Sequence, residues 1–175
     1  MNYIGSKNKL SSWILEVVEN TIQQPLYQLV FCDLFAGTGI VGRTFKPLVK
    51  QVIANDIEFY SFVLLKNYIE NHREIPYAEN YIQQLNELET KKGFVAEEYG
   101  ENGKADRLFF SKKNAEKIDA CRQQIETWKA STEISENLYY FLLASLLESA
   151  DKVANTASVY GAFLKKIKTS AAKEL

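Results

Sequence analysis

The sequence predicts an α/β fold with few parallel strands, extended by a long and mostly helical region. Three observations carry this. An apolar run at residues 27–35 feeds a glycine-rich turn; a second apolar run at 51–57 follows after a short connection; from residue 58 onward apolar residues recur at helical spacing.

The elements follow in chain order. After Ser6, the residues Leu10, Trp13, Ile14, Val17, Val18 and Ile22 recur at intervals of three and four, which predicts a helix ending near Pro25. Residues 27–35 combine β-favouring side chains with the small residues that follow, as in a buried strand entering a tight turn. A brief helix precedes Pro47. Val52 and Ile53 then begin a second strand that closes on Asn55 and Asp56, polar residues suited to its C-terminal end. Strand, helix, strand makes a parallel pair.

Beyond residue 58, Phe62, Leu65, Tyr68 and Ile69 share a helical face, Pro76 breaks it, and a polar helix carries Tyr81, Leu85 and Leu88. Residues 93–103 hold three glycines and read as a loop or hairpin. Ser111 is placed to cap a helix bearing Ile118, Cys121, Ile125 and Trp128, and Ser135 to cap one bearing Leu138, Phe141, Leu142 and Leu146. Residues 154–161 break the periodicity and read as a loop. The predicted organisation is an α/β part at 1–57, a helical insert at 58–162, and a return toward the sheet at 163–175. Two strands make a poor sheet, because open α/β sheets commonly have about five or six. The architecture reads as part of a larger domain.

Composition narrows the classes. Apolar residues make up 46% and charged residues 25% of the 175, close to the soluble globular average. Two cysteines and one histidine, His72, exclude a disulfide framework and a Cys/His zinc site. The start lacks the layout of a signal peptide, and no apolar run reaches the roughly 18 residues of a membrane span, so a soluble cytoplasmic protein is expected. With a net charge of −1, any nucleic-acid contact must come from a local cationic patch.

Gly37-Thr-Gly-Ile-Val-Gly42 has the G-x-G-x-x-G spacing directly after a predicted strand. In such a turn the first glycine permits the bend, the second lets backbone approach a ligand, and the third allows close helix–strand packing. Asp56, at the end of the second strand, is placed to accept hydrogen bonds from both hydroxyls of a ribose. A phosphate loop also nearly fits, since Gly42-Arg43-Thr44 substitutes arginine for the lysine of that motif. Arginine does not reproduce the compact ammonium, and Pro47 cuts short the helix that would hold the phosphates. A nicotinamide-binding protein stays open on spacing alone, although His72 is its sole candidate proton donor and sits in a polar helix end.

Four stretches together resemble the Dam-type family of adenine-N6 DNA methyltransferases: Tyr3-Ile-Gly-Ser-Lys7, Asp33-Leu-Phe-Ala-Gly-Thr-Gly39, Ala54-Asn-Asp56, and Glu148 through Lys165. Arg107 through Ser111 and Asn114 through Asp119 extend the resemblance over nearly the whole chain. It implies a partial Rossmann-like, S-adenosylmethionine-dependent methyltransferase fold with a helical insertion, acting on double-stranded DNA within a restriction-modification system. Carried over residue by residue, it makes Tyr3 and Lys7 cofactor contacts, with the ammonium facing the methionine carboxylate. Phe35, Gly37 and Gly39 line the ligand, Asp33 lies near its amino-acid end, and Asp56 takes the ribose. The insert would touch DNA through Asn155, Ser158 and Tyr160, flanked by Lys152, Lys165, Lys166 and Lys168.

One departure bears on activity. Methylating an exocyclic amine requires a flipped base whose nitrogen is held in line with the methyl donor. The family uses an Asp-Pro-Pro-Tyr motif for this, and here Pro25, Pro47 and Pro76 have no proline neighbour. The expectation is a cofactor-binding half that is inactive alone: a fragment, or one subunit of a split enzyme whose second chain supplies the motif. An inactive cofactor- or DNA-binding module is the alternative.

Overall fold

The computed structural model describes residues 6–157 and 162–175. Two compact units divide the chain, one running up to Glu74 and the other from Ile75 onward. The division between the compact units falls after residue 74.

The first unit opens with α1 (Ser11–Thr21), which ends as Ile22 turns extended three residues before Pro25. A single 3₁₀ turn, Leu26–Gln28, stands where the predicted strand was to begin, so β1 is shorter, Val30–Asp33. The short helix α2 (Ile40–Phe45) and β2 (Gln51–Ala54) follow, and β2 pairs parallel to β1 with Val30 opposite Gln51 and Asp33 opposite Ala54. Then come α3 (Phe59–Leu65) and a π-helical turn, Lys66–Glu70.

This unit's core lies on one face of the strand pair. Phe31 stacks on the buried Phe45 of α2 with ring centroids 4.0 Å apart. Leu65 and Ile69 close over Ala36, with Val52 and Ala54 packed against them. That contact explains the boundary: the helix after residue 58 buries its apolar stripe on the sheet and belongs with it. Arg43 lies over the Tyr68 ring at 4.1 Å, and the Lys46 ammonium donates to the Tyr68 carbonyl at 2.9 Å and to that of Asn71, satisfying carbonyls at the helix end.

The second unit is helical: α4 (Ala78–Glu87), α5 (Phe94–Tyr99), α6 (Lys112–Ala130) and α7 (Glu136–Val153). Ser111 and Ser135 cap α6 and α7 by accepting from the amides of Asn114 and Leu138. Of the predicted stripes, Ile118, Cys121, Ile125 and Trp128 on α6 and Leu138, Leu142 and Leu146 on α7 are buried and Phe141 is half-buried; Trp128 meets Tyr81 of α4 edge-on. Residues 93–103, expected as a loop or hairpin, contain α5. Its first amides, those of Val95 and Ala96, donate to the buried Asp119 carboxylate at 3.0 and 2.8 Å, a cap supplied from α6. Residues 171–175 are held on α6, because the Asn114 side chain donates to the carbonyls of Ala171 and Lys173 and accepts from the Leu175 amide.

Candidate functional site

The site grows from the turn between β1 and α2. The Asn55 amide donates to the Asp33 carbonyl at 2.8 Å, and the Ala36 amide donates to the Asn55 carbonyl at 2.9 Å, so the parallel ladder continues past the strands into the turn. Gly37 and Gly39 both adopt left-handed backbone, with φ of 53° and 75°. A side chain on Gly39 would also be strained by contact: its Cβ would stand 2.8 Å from a Leu65 methyl. At Gly42 a Cβ would meet Ile69 at 3.0 Å and Val52 at 3.4 Å, the close helix–strand approach assigned to the third glycine.

Asp56 closes the turn from the second strand. One carboxylate oxygen accepts from the Gly37 amide at 2.7 Å and the other from the Glu58 amide at 3.0 Å. The Glu58 bond, followed by that from Gly37, holds the Asp56 pKa below the ordinary carboxylate value. An ionised carboxylate offers about four acceptor positions, so two N–H groups leave capacity for further donors. Ser61 was not singled out from sequence. Its hydroxyl is fully buried, lies close enough to lower the Asp56 pKa further, and makes no hydrogen bond of ordinary length. A serine five residues after the acid, on the inward side of a helix, is the signal that could have found it.

Asp33 is half-buried at the other end of the turn. Burial raises its pKa, the Phe35 amide opposes this, and the nearby Asp56 and Lys7 charges push it up and down respectively. Lys7, Asp33 and Asp56 thus share one electrostatic neighbourhood. Around the turn stand apolar side chains that the unit leaves in solvent: Phe35 is 90% exposed and Ile57, beside Asp56, is 96% exposed. Along β2 a groove of about 810 Å³ runs to Asn55 and Asp56, with Phe62, Leu65 and Ile69 on its wall. Tyr3 lies outside the described residues.

The residues expected to meet DNA separate. Asn155 is fully buried; its side-chain amide donates to the carbonyls of Leu108 and Leu164, each at 2.9 Å, and accepts from the Lys168 amide at 3.0 Å. Those groups are spent inside the helical unit, and base edges cannot draw on them. Lys168 donates its ammonium to the Thr156 carbonyl, whereas Lys152, Lys165 and Lys166 are exposed. Ser158 and Tyr160 lie outside the described residues. Among the described residues no cluster of His, Cys, Asp or Glu could hold a metal ion, and no helix is long and apolar enough to cross a membrane.

Comparison with known proteins identifies the family. The model of the D12 class N6 adenine-specific DNA methyltransferases matches residues 3–175. A type II methyltransferase of Neisseria lactamica, M.NlaIII, is 57% identical over 175 residues, covering 100% of this chain and 52% of the relative. M.CviAII of Paramecium bursaria Chlorella virus 1 is 40% identical over 182 residues, again covering 100% of this chain and 52% of the relative. M.FokI of Planomicrobium okeanokoites is 34% identical over 175 residues, 94% of this chain and 27% of the relative. No solved structure matches. The chain belongs to the D12 class of N6 adenine-specific DNA methyltransferases, and it spans about half the length of the first two of these relatives.

Proposed function

We propose that this chain is the S-adenosylmethionine-binding portion of a site-specific DNA adenine-N6 methyltransferase of a cytoplasmic restriction-modification system. The observation that carries the reading is the Asp56 carboxylate, clamped to the Gly37 amide at 2.7 Å at the end of the strand beside a glycine turn.

The residues present fit the cofactor by their chemistry. Asp56 keeps acceptor capacity for ribose hydroxyls, and its lowered pKa keeps it ionised at neutral pH. Lys7 and Asp33 offer opposite charges, suited to the carboxylate and ammonium of a methionine moiety. Phe35 and Ile57 offer apolar surface to a base. Tyr3 is assigned to the same ligand by the family resemblance. When bound, S-adenosylmethionine supplies an electrophilic methyl group. This chain's task is to orient that group; holding the target amine falls to an Asp-Pro-Pro-Tyr motif, which the sequence lacks. Lys165 and Lys166, with Ser158 and Tyr160, are assigned to double-stranded DNA, where exposed ammonium groups would pair with phosphates.

Calorimetric titration of the purified chain with S-adenosylmethionine and separately with NAD tests the reading. Saturable binding of the first alone supports it; binding of NAD alone replaces it with a nicotinamide-binding protein. A radiolabelled-methyl assay on adenine-containing DNA should give no turnover with this chain by itself, and turnover would overturn that part.

A further inference from the structure

Helix α3 begins three residues after Asp56, and its third residue is Ser61. Helical side chains lean back toward the N-terminus of their own helix, so Ser61 is directed at the chain that enters α3. The Asp56 carboxylate lies at that end, where one of its oxygens accepts from the amide of Glu58, the residue just before the helix. Ser61 and Asp56 therefore face each other across the first turn of α3, close enough for the hydroxyl to favour the ionised carboxylate.

What the hydroxyl lacks is informative. Ser61 is fully buried, and among the described residues its oxygen is the one buried side-chain polar atom without a hydrogen-bond partner. A serine inside a helix can bond back to a carbonyl three or four residues earlier, here that of Glu58 or Ile57, and this one does not. A buried hydroxyl with no partner costs stability that an alanine of nearly the same shape would keep. Packing alone therefore gives no reason for an oxygen at this position. The carboxylate does. Asp56 receives two backbone amides, from Gly37 and Glu58, out of about four acceptor positions, so capacity remains for a donor from the interior as well as for a ligand from solvent.

We infer that Ser61 is a positioning residue of the cofactor site: its hydroxyl donates to the Asp56 carboxylate from the protein interior when a ligand hydroxyl engages that carboxylate from solvent. The inference rests on the proposed function, which gives Asp56 the ribose. A third protein donor narrows the orientations open to the carboxylate, so less freedom is lost when the ligand binds. The orphaned hydroxyl of the unliganded chain is the counterpart of that role: it forgoes a bond to its own helix and stays available to Asp56.

The test uses the full chain with Ser61→Ala, Ser61→Cys and Asp56→Ala, and with Ser61→Ala and Asp56→Ala combined. Affinity for S-adenosylmethionine is measured by calorimetry, Asp56 protonation by NMR titration of the Gly37 amide, and stability by chemical denaturation. Ser61→Ala should weaken binding about five- to tenfold and move the Asp56 midpoint up toward 3.8, while the denaturation midpoint stays at the parental value or rises. Ser61→Cys fills the space but donates weakly, and its affinity should fall as that of alanine does. In the Asp56→Ala background, removing the hydroxyl should change affinity no further, because its target is gone. Parental affinity in Ser61→Ala, an equal loss in both backgrounds, or an unchanged Asp56 midpoint would overturn the inference. The Asp56 midpoint decides by itself where the double substitution binds too weakly to measure. Absence of S-adenosylmethionine binding by the parent chain sinks the cofactor reading instead, and the link between Ser61 and Asp56 is then decided by the same midpoint, which needs no ligand.

Discussion

Replacing Asp56 with alanine removes the acceptor that joins the two strand ends. The Gly37 amide, at a buried glycine, loses a charge-assisted hydrogen bond of 2.7 Å. Such a bond contributes about 1.5–3 kcal/mol. The Glu58 amide belongs to an exposed residue and water takes over, at a cost of about 0.5 kcal/mol or less. The turn should therefore open about 2–3 kcal/mol more readily. Because the chain has two units, a local probe is needed: native-state hydrogen exchange at the amides of Ala36, Gly37 and Gly39. At about 1.4 kcal/mol per tenfold, exchange there should quicken roughly 30- to 100-fold, with amides in α6 and α7 unchanged. Affinity for S-adenosylmethionine should fall by at least about tenfold. Asp56→Asn keeps one oxygen for Gly37 without the charge, so about half of the loop effect should remain. Parental exchange and parental affinity in Asp56→Ala would refute the reasoning.

The same clamp sets a pH dependence. Asp56 has its folded pKa lowered, so its contribution is complete above the unfolded value, near 3.8, and is lost as pH falls through the lower folded value. An NMR titration of the Gly37 amide should show a midpoint below 3.8, and a midpoint at or above it would sink the clamp. Gly39→Ala forces a side chain into left-handed backbone at φ 75° and against Leu65, costing about 1–3 kcal/mol, to be read as a lowered denaturation midpoint and weaker cofactor binding. Asn155→Ala strands two carbonyls and an amide in the helical unit; a loss of about 2–4 kcal/mol on chemical denaturation is expected, with parental cofactor affinity. Lys165→Ala with Lys166→Ala should weaken DNA binding alike for all sequences and reduce the logarithmic salt slope by about 2, measured by fluorescence anisotropy.

Local signals made much of this protein legible from sequence. A short apolar, β-favouring run ending in glycines marks β1 and its turn, and a serine before an amphipathic run marks the starts of α6 and α7, because each depends on neighbours within a turn of chain. The spacing of Gly37 and Asp56 already paired the two ends of the site. What it assigned to a ribose alone, the fold uses first for itself, spending both carboxylate oxygens on backbone amides.

Other features follow from partners far apart in sequence. Residues 93–103 read as a loop because α5 has no cap of its own; the cap is Asp119, 23 residues beyond Ala96, and only packing brings it there. Asn155 sits in a loop-like sequence, the usual setting of a contact residue, yet bonds to Leu108, 47 residues away, bury it completely. The apolar periodicity of α1 was correctly helical, but periodicity cannot say which side of a helix finds a partner. By itself the sequence determined the elements, the turn and the chemistry at its rim. The tertiary structure decided which polar groups remain for a ligand and which apolar faces still lack cover, because both depend on which distant groups come into contact.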